Sequence, residues 1–235
     1  MAAGFTGFGP AAFGFLRGLA ANNDRAWFTA NKATYERAVL APFRLLLADV
    51  ISGLARRGIP LGGDPKRAIF RVHRDVRFNK EKLPYKIHAG AVLTRDGIKG
   101  ASGLLYIHID PAGCFLAAGF HAPDREQLGA MREAIYVDPD RFQTVRSTLS
   151  KAGLVLETSE TLSRMPRGFE DAADLQVADA LRLKRYIVRR PLTADTVAGP
   201  GLTAAAVAFA AEAEPLLRFG WQALTVLDPT VQRRG

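Results

Sequence analysis

The chain has 235 residues, 48% of them apolar, and a formal net charge of +9 at pH 7. This length suits one folded domain with a sizeable core, and the apolar fraction excludes a disordered chain. The basic balance permits an acidic partner such as nucleic acid, although arginine spread along the whole chain accounts for part of it. The single cysteine, Cys114, excludes an intrachain disulfide and a cysteine-based zinc cluster.

The sequence does not indicate secretion or membrane insertion. Glycine and proline interrupt the apolar stretch of residues 1–15, and no charged leader precedes it. No run approaches the roughly 18 uncharged apolar residues of a membrane span. We therefore expect a cytoplasmic protein with no membrane partner. Its oligomeric state does not follow from these patterns.

The N-terminal subregion, residues 1–60, is predicted to be helical. Apolar residues at helical spacing indicate a short first helix that ends near Asn22. Asp24 is a suitable N-cap for a second helix. Pro42 is expected to open a third helix, which Gly58 ends.

A sheet core is predicted within residues 66–122. Apolar and β-branched runs separated by Gly, Pro and Asp turns predict strands at 69–76, 88–94, 104–109 and 115–120. The turn sequence DPAG at 110–113 connects the last two strands as a hairpin. We therefore expect a mainly antiparallel sheet.

The remaining residues, 123–235, are predicted to mix helices and strands. In chain order the patterns give two helices, two short strands and a last helix, at 124–135, 139–149, 154–158, 181–188 and 203–217. Pro215 is expected to interrupt the last helix.

The fold class that these patterns predict is α+β. A central, mainly antiparallel sheet is flanked by N-terminal and C-terminal helices. No internal repeat, low-complexity tract or clear linker divides the chain, so we predict a single domain over residues 1–235.

The segment of residues 67–86 combines many cations with residues that should anchor it to the core. Two carboxylates, Asp75 and Glu81, accompany seven cations: Arg67, Arg71, Arg74, Arg77, Lys80, Lys82 and Lys86. Cations held on a fixed scaffold are the usual arrangement for binding an anion. We predict a pocket for a phosphorylated or carboxylated small molecule. Its predicted ligand-binding residues are Arg71, His73, Arg74, Asp75, Arg77, Lys80, Lys82, Tyr85 and Lys86.

Strand alternation predicts which of these side chains point the same way. If the segment begins as a strand, Arg71, His73 and Asp75 project together, away from a core face that holds Phe70 and Val72. Neighbouring arginines favour the charged form of Asp75, which suits a structural anchor better than a general base.

The histidines suggest proton transfer more than metal binding. His108 shares a strand face with Tyr106, and we take these two as the candidate catalytic, proton-transferring groups. A facing set of His73, Asp75 and His108 has ligand types that suit a divalent transition metal. No HExxH or similar close motif accompanies them, so we expect hydrogen-bonded histidines, no metal and no other cofactor.

Three functions stay open on these residues. The first is a small-molecule site, enzymatic or not, for an anionic ligand. The second is a non-enzymatic nucleic-acid binder that uses the same cations on phosphates, with Tyr85 and Phe78 as stacking groups. The third is a structural or interaction module whose cations form an internal salt-bridge network. The sequence contains no Walker loop, GxSxG elbow or dinucleotide-binding fingerprint that would name a reaction.

Several short motifs together match one known family. Its central signature is Arg71, Arg74-Asp75, Arg77-Phe78, Lys80, Lys82 and Pro84-Tyr85-Lys86. Further matches are Asn22-Asn23, Trp27-Phe28, Tyr106, His108, Pro166-Arg167-Gly168 and Arg190-Pro191-Leu192. Through these residues the chain resembles the uncharacterised bacterial and fungal proteins called the domain of unknown function 2461 family, from residue 5 to about residue 221. His73 and His121 depart from the family pattern, which has aromatic residues there. The resemblance implies the fold and the location of the site, and it implies no reaction.

Overall fold

The computed structural model describes residues 4–75 and 83–227 of the chain. Within them, the chain combines helices with one antiparallel sheet, which confirms the predicted α+β class. The strands are β1 (Ala89–Thr94), β2 (Leu104–Ile109), β3 (Phe115–Phe120) and β4 (Tyr186–Pro191). Their order in the sheet is β1-β2-β3-β4, so each strand pairs with the next one along the chain.

Helices precede the first strand, lie between β3 and β4 in the chain, and follow the last strand. They are α1 (Pro10–Ala21), α2 (Arg25–Tyr35), α3 (Ala41–Arg56), α4 (Pro65–Ala68), α5 (Arg125–Val137), α6 (Pro139–Lys151), α7 (Ala178–Leu181), α8 (Ala194–Ala198) and α9 (Gly201–Ala223). Asp24 caps α2 as predicted, because its side chain accepts a hydrogen bond of 2.9 Å from the N–H of Trp27.

No loop separates α2 from α3. A π-helical turn, Glu36–Leu40, joins them, and the N–H of Ala41 donates to the carbonyl of Glu36. The predicted third helix therefore begins at its expected place but continues the second one directly. The ring of Pro42 excludes an ordinary helical hydrogen bond at this point, and the preceding turn is widened.

The continuous helix Arg25–Arg56 is long and apolar enough to cross a membrane by length and composition, with a mean hydropathy of 1.7 in its most apolar window. Several of its apolar side chains are buried inside the protein, however. Phe43, Leu46 and Val50 of α3 are fully buried. Such a helix also forms the core of soluble proteins, so this finding is compatible with a soluble chain.

Residues 69–75 do not form the predicted strand. Ile69 makes an isolated bridge to Ala91 in β1, whereas His73 makes one to Tyr85. The backbone thus changes its pairing partner within a few residues, so no continuous ladder develops. The rest of the predicted strand lies outside the described residues.

Pro215 does not interrupt the last helix, because α9 continues through it to Ala223. Ala213 before the proline and Leu216 and Leu217 after it are fully buried. Their packing outweighs the roughly 3 kcal/mol that an internal proline costs a helix. Upstream, the predicted strand at 154–158 is reduced to one bridge between Leu156 and Val188.

The chain forms two compact units. The first takes in the described residues of Met1–Lys99, together with Leu105–Leu116 and Arg190–Ala210. The second takes in Gly100–Leu104, Ala117–Arg189 and the described residues of Ala211–Gly235. The assignment of a single domain to the whole chain stays a prediction.

Aromatic side chains pack against one another in the cores of both units. In the first unit, the ring of Phe8 lies edge-on to Phe5 and Phe43, at centroid distances of 5.4 Å and 5.6 Å. In the second unit, Phe142 packs against Phe219 at 5.0 Å. Such buried aromatic contacts stabilise the packing of each unit.

Candidate functional site

A cleft of about 860 Å³ in the first unit collects cations from separate parts of the chain. Six of the side chains that line this cationic cleft are Arg44, Lys66, Arg67, Arg71, Lys86 and Lys99. None of the described residues that line it is an aspartate or a glutamate. The described lining of the cleft therefore carries a surplus of positive charge.

Two helices present the cations on one wall. Arg44 lies on α3, directly after the π-helical turn, and Leu40 of that turn also lines the cleft. Lys66 and Arg67 lie on the short helix α4. Asp64 caps that helix by accepting hydrogen bonds of 2.7 Å and 2.9 Å from their backbone N–H groups.

The other wall comes from a paired stretch of extended backbone. The N–H of Lys86 donates to the carbonyl of Val72 at 2.7 Å, and the N–H of Arg74 donates to Pro84 at 2.8 Å. Val72 is buried, whereas Arg71 is exposed. The alternation expected of a strand therefore orients these side chains even though the ladder is short.

One asparagine fixes this wall to the N-terminal helices. Asn23 donates from its side-chain amide to the carbonyl of Tyr85 and accepts from the N–H of Tyr85, both at 3.0 Å. The ring of Tyr85 stacks on Phe28 with a centroid distance of 4.3 Å and is 4% exposed. Lys86, the next residue, is thereby held at a defined place.

The lysines of the cleft share one aromatic ring and repel one another. The Nζ atoms of Lys86 and Lys99 lie 5.2 Å and 4.9 Å from the ring centroid of Phe70. Burial and the charges of Arg71 and Arg74 lower the pKa of Lys86, while burial and the charge of Lys86 lower the pKa of Lys99. The ammonium of Lys99 also donates to the carbonyl of Ile69.

The six cations of the cleft form no salt bridge with any carboxylate in residues 4–75 and 83–227. Arginines of the second unit are different. Arg146 pairs with Asp179 at 2.9 Å, and Arg185 lies 3.5 Å from Glu157 and 3.3 Å from Glu160. Among the residues that the structure describes, a salt bridge to a carboxylate thus distinguishes those two arginines from the cations of the cleft.

A second group of polar side chains lies on the sheet of the same unit. We call it the histidine cluster: His88, Tyr106, His108 and Asp110. A hydrogen bond of 2.9 Å joins the Tyr106 hydroxyl to Nδ1 of His108, and Nε2 of His108 lies 3.6 Å from Oδ2 of Asp110. Nδ1 of His88 lies 4.0 Å from the same oxygen. Phenol, imidazole and carboxylate in this sequence can relay a proton.

Burial and neighbouring charges both act on the pKa of His88. Burial lowers its pKa, and the charges of Lys86 and Arg74 lower it further, while Asp110 raises it. The net result is a pKa below the ordinary value, which favours the neutral imidazole.

The ring of Phe70 separates the cleft from the histidine cluster. Phe70 lines the cleft, and its ring lies edge-on to Tyr106 at a centroid distance of 6.2 Å. Neither Tyr106 nor His108 is among the residues that line the cleft. The structure thus places the two predicted catalytic residues beside the cationic cleft and not in its wall.

Only some of the predicted ligand-binding residues line the cleft in the described structure. Arg71, His73 and Lys86 line the cleft, and Arg74 acts on Lys86 by its charge. Asp75 is exposed, whereas Tyr85 is buried in the aromatic packing described above. Three further predicted residues, Arg77, Lys80 and Lys82, lie outside the described residues.

The histidines do not group as the sequence suggested. Across the described parts of the chain, the metal-ligand set that lies close together is His88, His108 and Asp110, whose ligand atoms are within 4.8 Å of one another. His73 lines the cleft instead, and His121 is exposed after β3.

Sequence reasoning missed Arg44, Lys66, Lys99 and His88. The signal for His88 was present, because predicted antiparallel strands at 88–94 and 104–109 bring the start of one strand beside the end of the other. Nothing in the sequence indicates that Lys99, in the connection between these strands, approaches Phe70.

Comparison with known proteins gives one result. No curated protein and no solved structure shows a significant match to the chain. A family model described as "Conserved hypothetical protein (DUF2461)" matches residues 11–219, which include the whole of the described cleft and histidine cluster. The chain therefore belongs to the DUF2461 family.

Proposed function

We propose that the protein binds a phosphorylated or carboxylated small molecule in the cationic cleft. The observation that carries this proposal is the set of six cations around one cleft whose described lining contains no carboxylate. The cleft volume of about 860 Å³ lies within the range of roughly 300–1,000 Å³ that small-molecule sites occupy.

The electrostatics of the lysines support the same proposal. Lys86 and Lys99 are held where burial and neighbouring cations disfavour their charged forms. A bound anion would remove this repulsion, so part of its binding energy would come from relief of an unfavourable arrangement. Arg71 would supply a planar, two-pronged donor to anion oxygens, and the lysines would add point charges.

The number of cations favours a ligand with more than one negative charge. One carboxylate would leave most of the cleft uncompensated, whereas two or more phosphate or carboxylate groups would engage cations on both walls. Tyr106 and His108 are the proton-transfer candidates nearby. A reaction would require the ligand to extend past the ring of Phe70.

Calorimetric titration of the full-length chain at low salt tests the proposal, with pyrophosphate as the phosphate probe and citrate as the carboxylate probe. We expect one of the two to bind. Arg71→Gln should weaken that binding about tenfold, equivalent to the loss of about 1.4 kcal/mol. The matched control, Arg57→Gln, removes an exposed arginine that does not line the cleft and should leave affinity unchanged. Absence of binding to both probes, or an equal loss in both variants, would contradict the proposal.

A fluorescently labelled single-stranded oligonucleotide tests the alternative, that the protein binds nucleic acid. Nucleic-acid binding falls with salt at a log–log slope set by the number of phosphates contacted. The nucleic-acid proposal would replace the small-molecule one if the oligonucleotide binds much more tightly than pyrophosphate and its salt dependence indicates contact with several phosphates. The burial of Tyr85 removes one of the stacking groups that such a binder would use.

We also propose that the protein works in the cytoplasm. The single Cys114 is a free thiol, as is usual in a reducing compartment. Burial raises its pKa, which disfavours the reactive thiolate form. Fractionation of cells that express the full chain would test this location.

A further inference from the structure

We propose that His88, His108 and Asp110 form a binding site for a divalent first-row transition metal ion. The site is separate from the cationic cleft and does not rest on the function proposed for it, so either proposal can fail alone. Two imidazoles and one carboxylate are the ligand types that such ions prefer in proteins.

The sheet brings these three side chains together on rigid backbone. His88 immediately precedes β1, His108 lies in β2, and Asp110 immediately follows β2. Because β1 and β2 are antiparallel neighbours, the start of one lies beside the end of the other. Ligands mounted on strands keep their geometry better than ligands on long loops.

The distances between the ligand atoms are close to those that a metal ion requires. Oδ2 of Asp110 lies 3.6 Å from Nε2 of His108 and 4.0 Å from Nδ1 of His88. Ligands about 2.1 Å from a tetrahedral zinc ion lie roughly 3.4 Å from one another. Small side-chain rotations would therefore close the three atoms around one ion.

Neighbouring side chains orient His108 as a metal site needs. Its Nδ1 is engaged by the hydroxyl of Tyr106, which directs Nε2 toward Asp110 whichever group donates the hydrogen bond. Its ring also stacks on Phe115 at a centroid distance of 4.4 Å. Such an outer partner on the second imidazole nitrogen is typical of histidines that ligate metals.

The cluster is sheltered and still accessible. The side chains of His108 and Asp110 are 14% and 15% exposed, and that of His88 is 30% exposed. Three protein ligands leave at least one coordination position for water or another molecule, which is the arrangement of reactive metal sites more than of structural ones.

Positive charge beside the cluster opposes a dication and gives the proposal a distinctive consequence. The charges of Lys86 and Arg74 act on His88. They would also repel a bound ion, so removal of the Lys86 charge should tighten metal binding. A merely structural histidine cluster would not respond in this way.

Calorimetric titration of the full-length, chelator-treated protein with zinc chloride tests the site. We expect one zinc ion per chain. Tyr106→Phe should weaken binding about 10- to 100-fold as an outer partner, and His88→Ala, His108→Ala and Asp110→Asn should weaken it at least as much. Lys86→Met should strengthen it. The controls His73→Ala and His121→Ala remove histidines outside the cluster and should leave zinc affinity unchanged.

NMR of the wild-type imidazole signals provides a readout that needs no variant to fold. Zinc should shift the ring signals of His88 and His108 and leave those of His73 and His121 in place. The proposal is overturned if wild-type protein binds no zinc. It is equally overturned if zinc shifts all four histidines alike, or if His73→Ala weakens binding as much as His88→Ala does.

Discussion

The ammonium groups of Lys86 and Lys99 lie over the same aromatic ring, that of Phe70, 5.2 Å and 4.9 Å from its centroid. Each contact is favourable by itself. Together they hold two like charges near each other, and the charge of Lys86 lowers the pKa of Lys99. The ring thus concentrates positive charge at the point where the cleft meets the histidine cluster.

The lowered pKa values predict unusual amine reactivity. An amine reacts with an acylating reagent only when it is unprotonated, so Lys86 and Lys99 should be labelled faster near neutral pH than an ordinary surface lysine. Lys151 at the end of α6 is exposed and is the internal reference. Mass spectrometry of digested protein measures the three rates, and saturating pyrophosphate should slow the first two.

The variant Lys86→Met tests the cause of this reactivity. It keeps an apolar chain over Phe70 and removes the charge, so the pKa of Lys99 should rise and its labelling should slow. An unchanged rate at Lys99 would show that burial alone lowers its pKa. Labelling of Lys151 should be the same in both proteins.

The same two lysines predict how stability depends on pH. Their pKa values in the folded chain lie below the ordinary 10.5 of the unfolded chain. The unfolded chain therefore binds more protons between the two values, and the folded state is disfavoured in full at lower pH. As the pH rises through the lowered pKa values toward 10.5, this penalty is relieved and their contribution to the free energy of unfolding increases. Denaturant unfolding across this window should show a steeper rise for wild type than for Lys86→Met, and parallel curves would contradict the prediction.

Asn23 should contribute more to the free energy of unfolding than its position in a polar turn suggests. Replacement by Ala leaves the part-buried N–H and carbonyl of Tyr85 without their partner, which costs about 1–3 kcal/mol. The matched control is Asn22→Ala, because the side chain of Asn22 makes an exposed local bond to Gly18. Denaturant unfolding compares the two variants. Asn23→Ala should also weaken pyrophosphate binding, since Lys86 follows Tyr85; equal stability of the two variants would contradict this role.

The sequence predicts most elements whose pattern depends only on local periodicity. The bounds of β2 and β3 agree with prediction because their apolar residues and the turn after Ile109 specify both. Residues 69–75 show the limit of this reasoning. Their alternation correctly separates buried Val72 from exposed Arg71, but no local pattern states that the backbone pairs first with β1 and then with Tyr85.

The candidate site could be predicted only where one segment supplied it. Arg71 and Lys86 belong to the cationic segment and do line the cleft. Arg44 and Lys99 reach the same cleft from a helix and from the connection between two strands, and only the tertiary fold brings them there. The position of His88 depends on how β1 and β2 are aligned with each other. The turn residues between two strands predict that alignment only loosely.

The ring of Tyr106 should leave room only for glycine at residue 90. A methyl group at residue 90 would lie 2.5 Å from the Tyr106 hydroxyl oxygen, so Gly90→Ala must displace the ring and weaken its hydrogen bond to His108. We expect a loss of about 1–3 kcal/mol in the free energy of unfolding. The loss should shrink in a Tyr106→Leu background, which a double-mutant cycle measures.

Gly129→Ala is the matched control for this experiment. Nothing lies within 4 Å of a methyl group at this position on α5, so alanine should raise the free energy of unfolding by up to about 1 kcal/mol. A Gly90→Ala variant as stable as Gly129→Ala would rule out the close approach of Tyr106.

The π-helical turn Glu36–Leu40 gives the continuous helix one place where the length of the chain can change. It holds one residue more than an α-helical turn, so a single deletion there would restore regular winding and leave Phe43 and Arg44 on the faces that they now occupy. A deletion later in α3 would instead rotate every residue after it by about 100°. Members of the family should accordingly tolerate a gap of one residue within residues 36–40 more readily than a gap within residues 41–56.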